Sequence, residues 1–143
     1  ALRPGASILP DLESLAVGID LGTSTSVVAT VRNGRAEALI DPSGRRPLVP
    51  SVLALDKKGK QIVGHLADRE GRVPNVIRES KRGMGEGKTY LLGETGIPAV
   101  RVAARILVKM LDVAEGQLGV RPESAVVPVP AACCCVFAPR RRV

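Results

Sequence analysis

The chain has 143 residues and a formal net charge of +7, a length that suits one ordinary domain. Hydrophobic residues make up 45% but aromatics only 1%, Tyr90 and Phe137 being the two, so any core must be built from Val, Leu, Ile and Ala without the large area an aromatic buries. The basic balance raises nucleic acid as a partner, but the arginines are scattered and a stacking platform for single strands is missing, which argues against that class; no apolar run approaches the ~20 residues of a membrane span.

Residues 1–15 carry Pro4, Gly5, Ser7 and Pro10 without a period. They read as a loose leader, and they lack the charged start and continuous apolar middle of a secretory signal. From Ala16 the pattern changes. Residues 16–20 form a short buried strand ending in the carboxylate of Asp20, and residues 21–25 a turn rich in glycine and hydroxyls. The β-branched run 26–32 predicts a second strand. Asn33-Gly34 is the strongest short hairpin signal available, so residues 35–40 return as a third strand. Asp41-Pro42-Ser43-Gly44 is another turn. Residues 51–55 predict a fourth strand, Lys57-Lys58-Gly59-Lys60 a turn, and residues 61–63 a fifth strand. The opening is therefore an antiparallel meander.

A helical stretch comes next over 65–70 and breaks near Gly71 and Pro74. Residues 75–81 predict another short helix, and 90–92 a small strand. From Ile97 the period becomes helical: Ile97, Val100, Ala103, Ala104, Leu107, Met110, Leu111, Ala114 and Leu118 fall at three- and four-residue steps along one stripe. Gly119 supplies the stop. Residues 125–129 then read as a buried returning strand. Strands, a helix of about six turns and a returning strand define an α/β or α+β class.

Two features carry no chemistry of their own, and the cysteines form no site. Gly85-Glu86-Gly87-Lys88-Thr89 imitates the end of a phosphate-binding P-loop, but the position that motif reserves for its first glycine holds Arg82, and Tyr90-Leu91-Leu92 directly after it is strand-like. His65, the only histidine, reads as a surface residue rather than a catalytic base. Cys133, Cys134 and Cys135 are consecutive, cannot supply spaced metal ligands and form no disulfide framework, which makes a cytoplasmic setting the expectation.

The chemistry is concentrated in Val17-Gly18-Ile19-Asp20-Leu21-Gly22-Thr23-Ser24-Thr25-Ser26. A buried strand delivers Asp20 to a tight turn. Gly22 lets backbone approach a ligand closely, and the hydroxyls and successive amides of Thr23, Ser24, Thr25 and Ser26 can form an anion-binding nest. A carboxylate beside such a nest is what a magnesium-phosphate group requires. The bland alternative is a polar hairpin turn with a capping aspartate.

This string resembles the first phosphate loop of the actin-like ATPase fold in the form found in the seventy-kilodalton heat-shock (DnaK-type) chaperones. Val17 to Thr23 match that pattern as they stand; Ser24 replaces a usual threonine and Thr25 a usual asparagine. The resemblance continues through Asn33-Gly34-Arg35-Ala36-Glu37, Asp41-Pro42-Ser43-Gly44-Arg45-Arg46, Pro50-Ser51-Val52, Gln61-Ile62-Val63-Gly64 with Ala67, Ser80-Lys81-Arg82-Gly83-Met84-Gly85, the long helix from Ile97, and Ala125-Val126-Val127-Pro128-Val129-Pro130-Ala131.

The resemblance implies a fold and a set of roles. The fold is part of an actin-like ATPase (ribonuclease H-like) lobe, a partial nucleotide-binding domain over residues 16–131. The ligands are ATP or ADP with Mg2+. Asp20 is the metal-side and catalytic carboxylate; Gly22, Thr23, Ser24 and Thr25 wrap the outer phosphates. Lys81 is the second catalytic group, neutralising phosphate charge and placing the attacking water, a task that needs positioning and charge more than covalent chemistry. In a complete relative the partners are unfolded peptide clients and co-chaperones. A sugar kinase or filament protein of the same superfamily, and a binding module without chemistry, are the alternatives.

Residues 132–143 depart from the family pattern and are expected to be a disordered tail; a frameshift or a truncated gene model would produce such an ending. The resemblance also implies that the second phosphate loop and the adenosine-binding segment lie outside this chain. A ligand held by one wall of a cleft loses most of its burial. The expectation is weak or no ATP binding and negligible turnover by the chain alone, with apolar faces of the long helix and the returning strand exposed.

Overall fold

The computed structural model describes residues 16–129; the leader over 1–15 and the tail with its three cysteines lie outside the described residues. Strand β1 (Ala16–Leu21) alternates strictly, turning Val17, Ile19 and Leu21 inward and leaving Ala16, Gly18 and Asp20 exposed. It pairs antiparallel with β2 (Thr25–Arg32), Ile19 opposite Val28 and Leu21 opposite Ser26. Asn33 and Gly34 both take positive φ, 52° and 72°, the geometry a two-residue hairpin needs to match the strand twist. They lead into β3 (Arg35–Ala38), an exposed edge strand whose charges suit an edge. The third strand therefore ends two residues before its predicted limit, where Leu39 turns into the core at 1% exposure.

Of the predicted strand over 51–55 only its second part forms, preceded by a strand the sequence reading did not include. β4 (Val49–Pro50) pairs with β2, and β5 (Leu53–Leu55) joins a second sheet of order β6-β5-β7, with β6 (Gln61–Val63) and β7 (Val76–Ile77). Ser51 and Val52 make the step between sheets. The β5–β6 turn is fixed by Asp56, whose Oδ1 accepts the amides of Lys58 and Lys60, each at 2.8 Å. Helix α1 (His65–Glu70) falls where the sequence places it. The short helix predicted over 75–81 does not form as such: Val76 and Ile77 pair with β5, and only Ser80–Gly83 winds, as a 3-10 turn. Ile77, 2% exposed, gains more as a buried strand residue than a short isolated helix offers.

β8 (Thr89–Leu92) and β9 (Thr95–Pro98) form a hairpin ahead of α2 (Ala99–Leu118), which Gly119 ends in the left-handed conformation at φ 75°, as predicted. The helix's buried face is Ala99, Val102, Ala103, Ile106, Met110, Val113 and Ala114; it shares Ala103, Met110 and Ala114 with the stripe read from the sequence, whose Leu107, Leu111 and Leu118 lie partly buried at its border. Ile97 belongs to β9, while Val100 and Ala104 face outward. Apolar residues cover so much of this helix that period alone does not fix the centre of the face.

Helix α2 is the spine of the packing. One end seals Val17, Ile19, Val28, Leu39 and Val49 with Met110, Val113 and Ala114; the other joins Leu21, Leu53, Ile77, Leu92 and Ile97 to Val102, Ala103 and Ile106. β10 (Ser124–Val126) then returns parallel to β1, giving the first sheet the order β10-β1-β2-β3 with β4 attached to β2. Its three residues are exposed, Val126 at 73%, so the buried strand expected here is an uncovered edge. The fold is the mixed α/β lobe that was expected, its antiparallel strands, long helix and returning strand in the predicted order.

Candidate functional site

The pleat of β1 decides the first feature of the site. Leu21 must point into the core, so Asp20, one residue earlier, stands on the open face at the strand's end. The chain reverses over residues 22–24 and re-enters the sheet at Thr25. A Cβ on Gly22 would run into the carbonyl oxygen of Thr25. The glycine is thus required by the turn's own backbone, beyond any approach of a ligand.

Ser51 holds this turn from behind. Its buried hydroxyl donates to the Gly22 carbonyl at 2.9 Å and lies 2.8 Å from the Ser26 hydroxyl, while its amide donates to the Ser24 carbonyl at 2.9 Å. With one proton per hydroxyl, the Ser51 proton serves Gly22 and the Ser26 proton serves Ser51, so the chain of bonds is internally consistent. This leaves the side chains of Thr23, Ser24 and Thr25 toward solvent, Thr23 half-buried and the other two exposed.

Lys81 arrives from far along the sequence. Glu79 adopts left-handed φ of 53°, which turns the chain out of β7 and into the 3-10 turn. The Lys81 ammonium then donates to the Leu21 carbonyl at 2.6 Å. That bond occupies one of three donors, and among the described residues Lys81 forms no ion pair with a carboxylate. The fold therefore brings Asp20, the turn with Gly22, Thr23, Ser24 and Thr25, and Lys81 to the same end of β1. It does not pair Lys81 with Asp20.

The donor set can be tested against a metal. Among the described residues there is no cluster of three or more His, Cys, Asp or Glu side chains, so the site is not a protein cage. One exposed carboxylate beside hydroxyls and a turn suits Mg2+, which keeps several waters and takes one or two carboxylates together with substrate phosphates.

Four residues have roles that the sequence pattern does not announce. Ser51 lies inside a predicted strand. Arg78 and Glu79 lie inside a predicted helix, yet with Thr23, Ser24, Ser51 and Val52 they line a cavity of about 340 Å³ beside the turn. Asp41 is marked by the sequence only as a turn residue. It is buried; its Oδ1 accepts the Ser43 hydroxyl at 2.6 Å and the Ser43 amide at 3.0 Å, and the Lys109 ammonium of α2 lies 3.3 Å away. Burial pushes the Asp41 carboxyl up, but the Ser43 bonds and the Lys109 charge outweigh it and hold the group below the usual carboxylate range. The Asp-x-Ser spacing of a side-chain-stabilised turn is the available signal.

The P-loop imitation is ruled out by its surroundings. Thr89 opens strand β8 rather than a helix, and the Lys88 ammonium lies over the Tyr90 ring, 4.9 Å from its centroid. His65 is half-buried rather than a surface residue, its Nε2 packed against Gly44. No helix among the described residues is long and apolar enough to cross a membrane.

The family model described as "Hsp70 protein" matches residues 16–90. "Chaperone protein HscA homolog" from Burkholderia thailandensis is 39% identical over 151 aligned positions, which cover 90% of this chain and 24% of the relative. The proteins of that name from Burkholderia mallei and Burkholderia pseudomallei match to the same extent. The chain thus spans about a quarter of the length of these relatives. A sugar kinase or filament protein is not favoured by these matches.

Proposed function

The chain belongs to the Hsp70 family, and on that premise we propose that it carries the first phosphate-binding wall of an ATP site. The observation that supports this reading most directly is the bond from the Lys81 ammonium to the Leu21 carbonyl. It puts a cation with free donors at the turn that follows Asp20.

Each role rests on the chemistry of its group. The turn amides and the hydroxyls of Thr23, Ser24 and Thr25 bind the outer phosphates, and Gly22 lets the turn close tightly enough to do so. Asp20 orients the metal's water shell from the open face of β1. Lys81 adds the positive charge that phosphoryl transfer requires and helps position the attacking water. Bound Mg2+ would neutralise phosphate charge. These residues form one wall of a cleft, and a ligand held by one wall alone loses most of its burial. For a whole protein of this family, coupling of ATP hydrolysis to protein folding, peptide clients, co-chaperones and a cytoplasmic setting belong to the same proposal.

The test is titration of the chain with MgATP and MgADP, followed by amide chemical shifts, beside Asp20→Ala and Lys81→Ala. Saturable shifts confined to residues 20–26 and 78–83, lost in Asp20→Ala, are expected. A folded chain whose shifts do not respond to either nucleotide would overturn the reading.

A further inference from the structure

The cavity beside the turn contains a second cation. Thr23, Ser24, Ser51, Val52, Arg78 and Glu79 line a space of about 340 Å³. Arg78 precedes the left-handed residue Glu79 that swings the chain toward Lys81, so the two cations reach the turn from one short segment. Resting on the nucleotide reading above, we propose that Arg78 is a specificity-determining residue of this site. It contacts the outermost phosphate and makes the chain prefer a nucleoside triphosphate to a diphosphate.

The hydrogen-bond arithmetic permits this. Arg78 uses one terminal nitrogen on the Asp68 carboxylate and the other on the Asp68 carbonyl at 3.2 Å. A guanidinium has five donors in a rigid fork that suits phosphate, so donors remain after Asp68 is served. The side chain is 47% exposed, and its bonds to Asp68 of α1 leave part of the fork unused. The carboxylate of Glu79 also lines the cavity and would repel a phosphate, but it is paired with Arg82 at 3.2 Å.

The bland reading is that Arg78 is a surface ion-pair residue that ties β7 to α1. Magnitude and sign separate the two. A half-exposed guanidinium on a phosphate is expected to change affinity by about fivefold rather than a hundredfold, because solvent screens it. Affinities of wild type, Arg78→Ala, Arg78→Lys and Asp68→Asn for MgATP and MgADP are compared by amide-shift titration, with urea unfolding as a check on the fold. Arg78→Ala is expected to weaken MgATP about fivefold and MgADP less than twofold, with Arg78→Lys in between. Asp68→Asn, which removes the competing negative charge but keeps the cation and the bond to the backbone carbonyl, is expected to hold or tighten MgATP.

Equal losses for both nucleotides in Arg78→Ala would overturn the proposal. So would an Asp68→Asn variant that weakens MgATP as much as Arg78→Ala, since the ion pair alone would then account for the effect. A wild-type chain that binds neither nucleotide removes the underlying reading and this inference together. Wild-type binding that depends on Asp20 but not on Arg78 removes this inference alone.

Discussion

The Lys81 ammonium donates to the carbonyl oxygen of Leu21 at 2.6 Å, joining residues sixty positions apart. Leu21 is 7% exposed and fixed in the core by the pleat of β1, so its carbonyl is a rigid acceptor. The bond therefore places a cation at the strand end before any ligand arrives, which is preorganisation in the sense that matters for charge stabilisation.

Replacing Lys81 with Met keeps much of the aliphatic stem and removes the charge. Because the partner is a neutral carbonyl, the loss of stability is expected to be about 1 kcal/mol. The loss of MgATP affinity is expected to exceed the loss for a charge-neutral probe such as adenosine. Urea unfolding read beside nucleotide titration checks both halves of this expectation.

Ser51→Ala leaves the Gly22 carbonyl and the Ser26 hydroxyl without their buried partner. A cost of about 1–3 kcal/mol is expected for the unsatisfied groups, measured as a lower urea midpoint at unchanged slope. The amides of residues 22–25 are expected to exchange faster in the same variant. Protection unchanged there would mean that Ser51 does not hold the turn.

Asp41 predicts an acid limb of stability. Its folded value is depressed below the ordinary 3.8 by the Ser43 bonds and Lys109, which outweigh burial. As pH falls, the unfolded chain takes up the proton first. The contribution is complete above the ordinary value and is lost as pH falls through the lower folded value. Unfolding measured between pH 7 and pH 3 is expected to show a steeper loss below about pH 4 in wild type than in Asp41→Asn. Lys109→Met, which removes the opposing charge but leaves the Ser43 bonds in place, is expected to cost about 1–3 kcal/mol at neutral pH.

The orientation of α2 is tested by two valines two positions apart. Val102 is fully buried and Val100 is 58% exposed. Val102→Ala is expected to cost about 2 kcal/mol through lost contacts and a cavity, whereas Val100→Ala stays within about 0.5 kcal/mol. A larger cost for Val100→Ala than for Val102→Ala would mean that the helix is turned toward the Val100 side of the stripe instead.

Much of the architecture is legible in the residues because it rests on local rules. Asn33-Gly34 sets the first hairpin through the positive φ that both residues adopt. Gly119 sets the end of α2 in the same way. Alternation in residues 16–21 sets which side chains face inward, and so puts Asp20 outside. The string from Asp20 to Thr25 announces the site because a carboxylate followed by glycine and hydroxyls is chemically distinctive over a short span.

The remainder depends on partners distant in the chain. Residues 76–77 are a strand because β5 offers them a ladder, and Val126 remains exposed because no described element covers the far side of β10. Ser51 gains its role by lying twenty-nine positions from the carbonyl it binds, and Arg78 by meeting Thr23 and Ser24 at the cavity from far along the chain. The turns, the strand faces and the types of group at the site were settled locally by the residues themselves, since they obey φ preferences and a two-residue pleat. The buried face of α2 and the cations that meet the turn were settled by long-range packing, because those choices are made by contacts whose free energy exists only after the chain has folded back on itself.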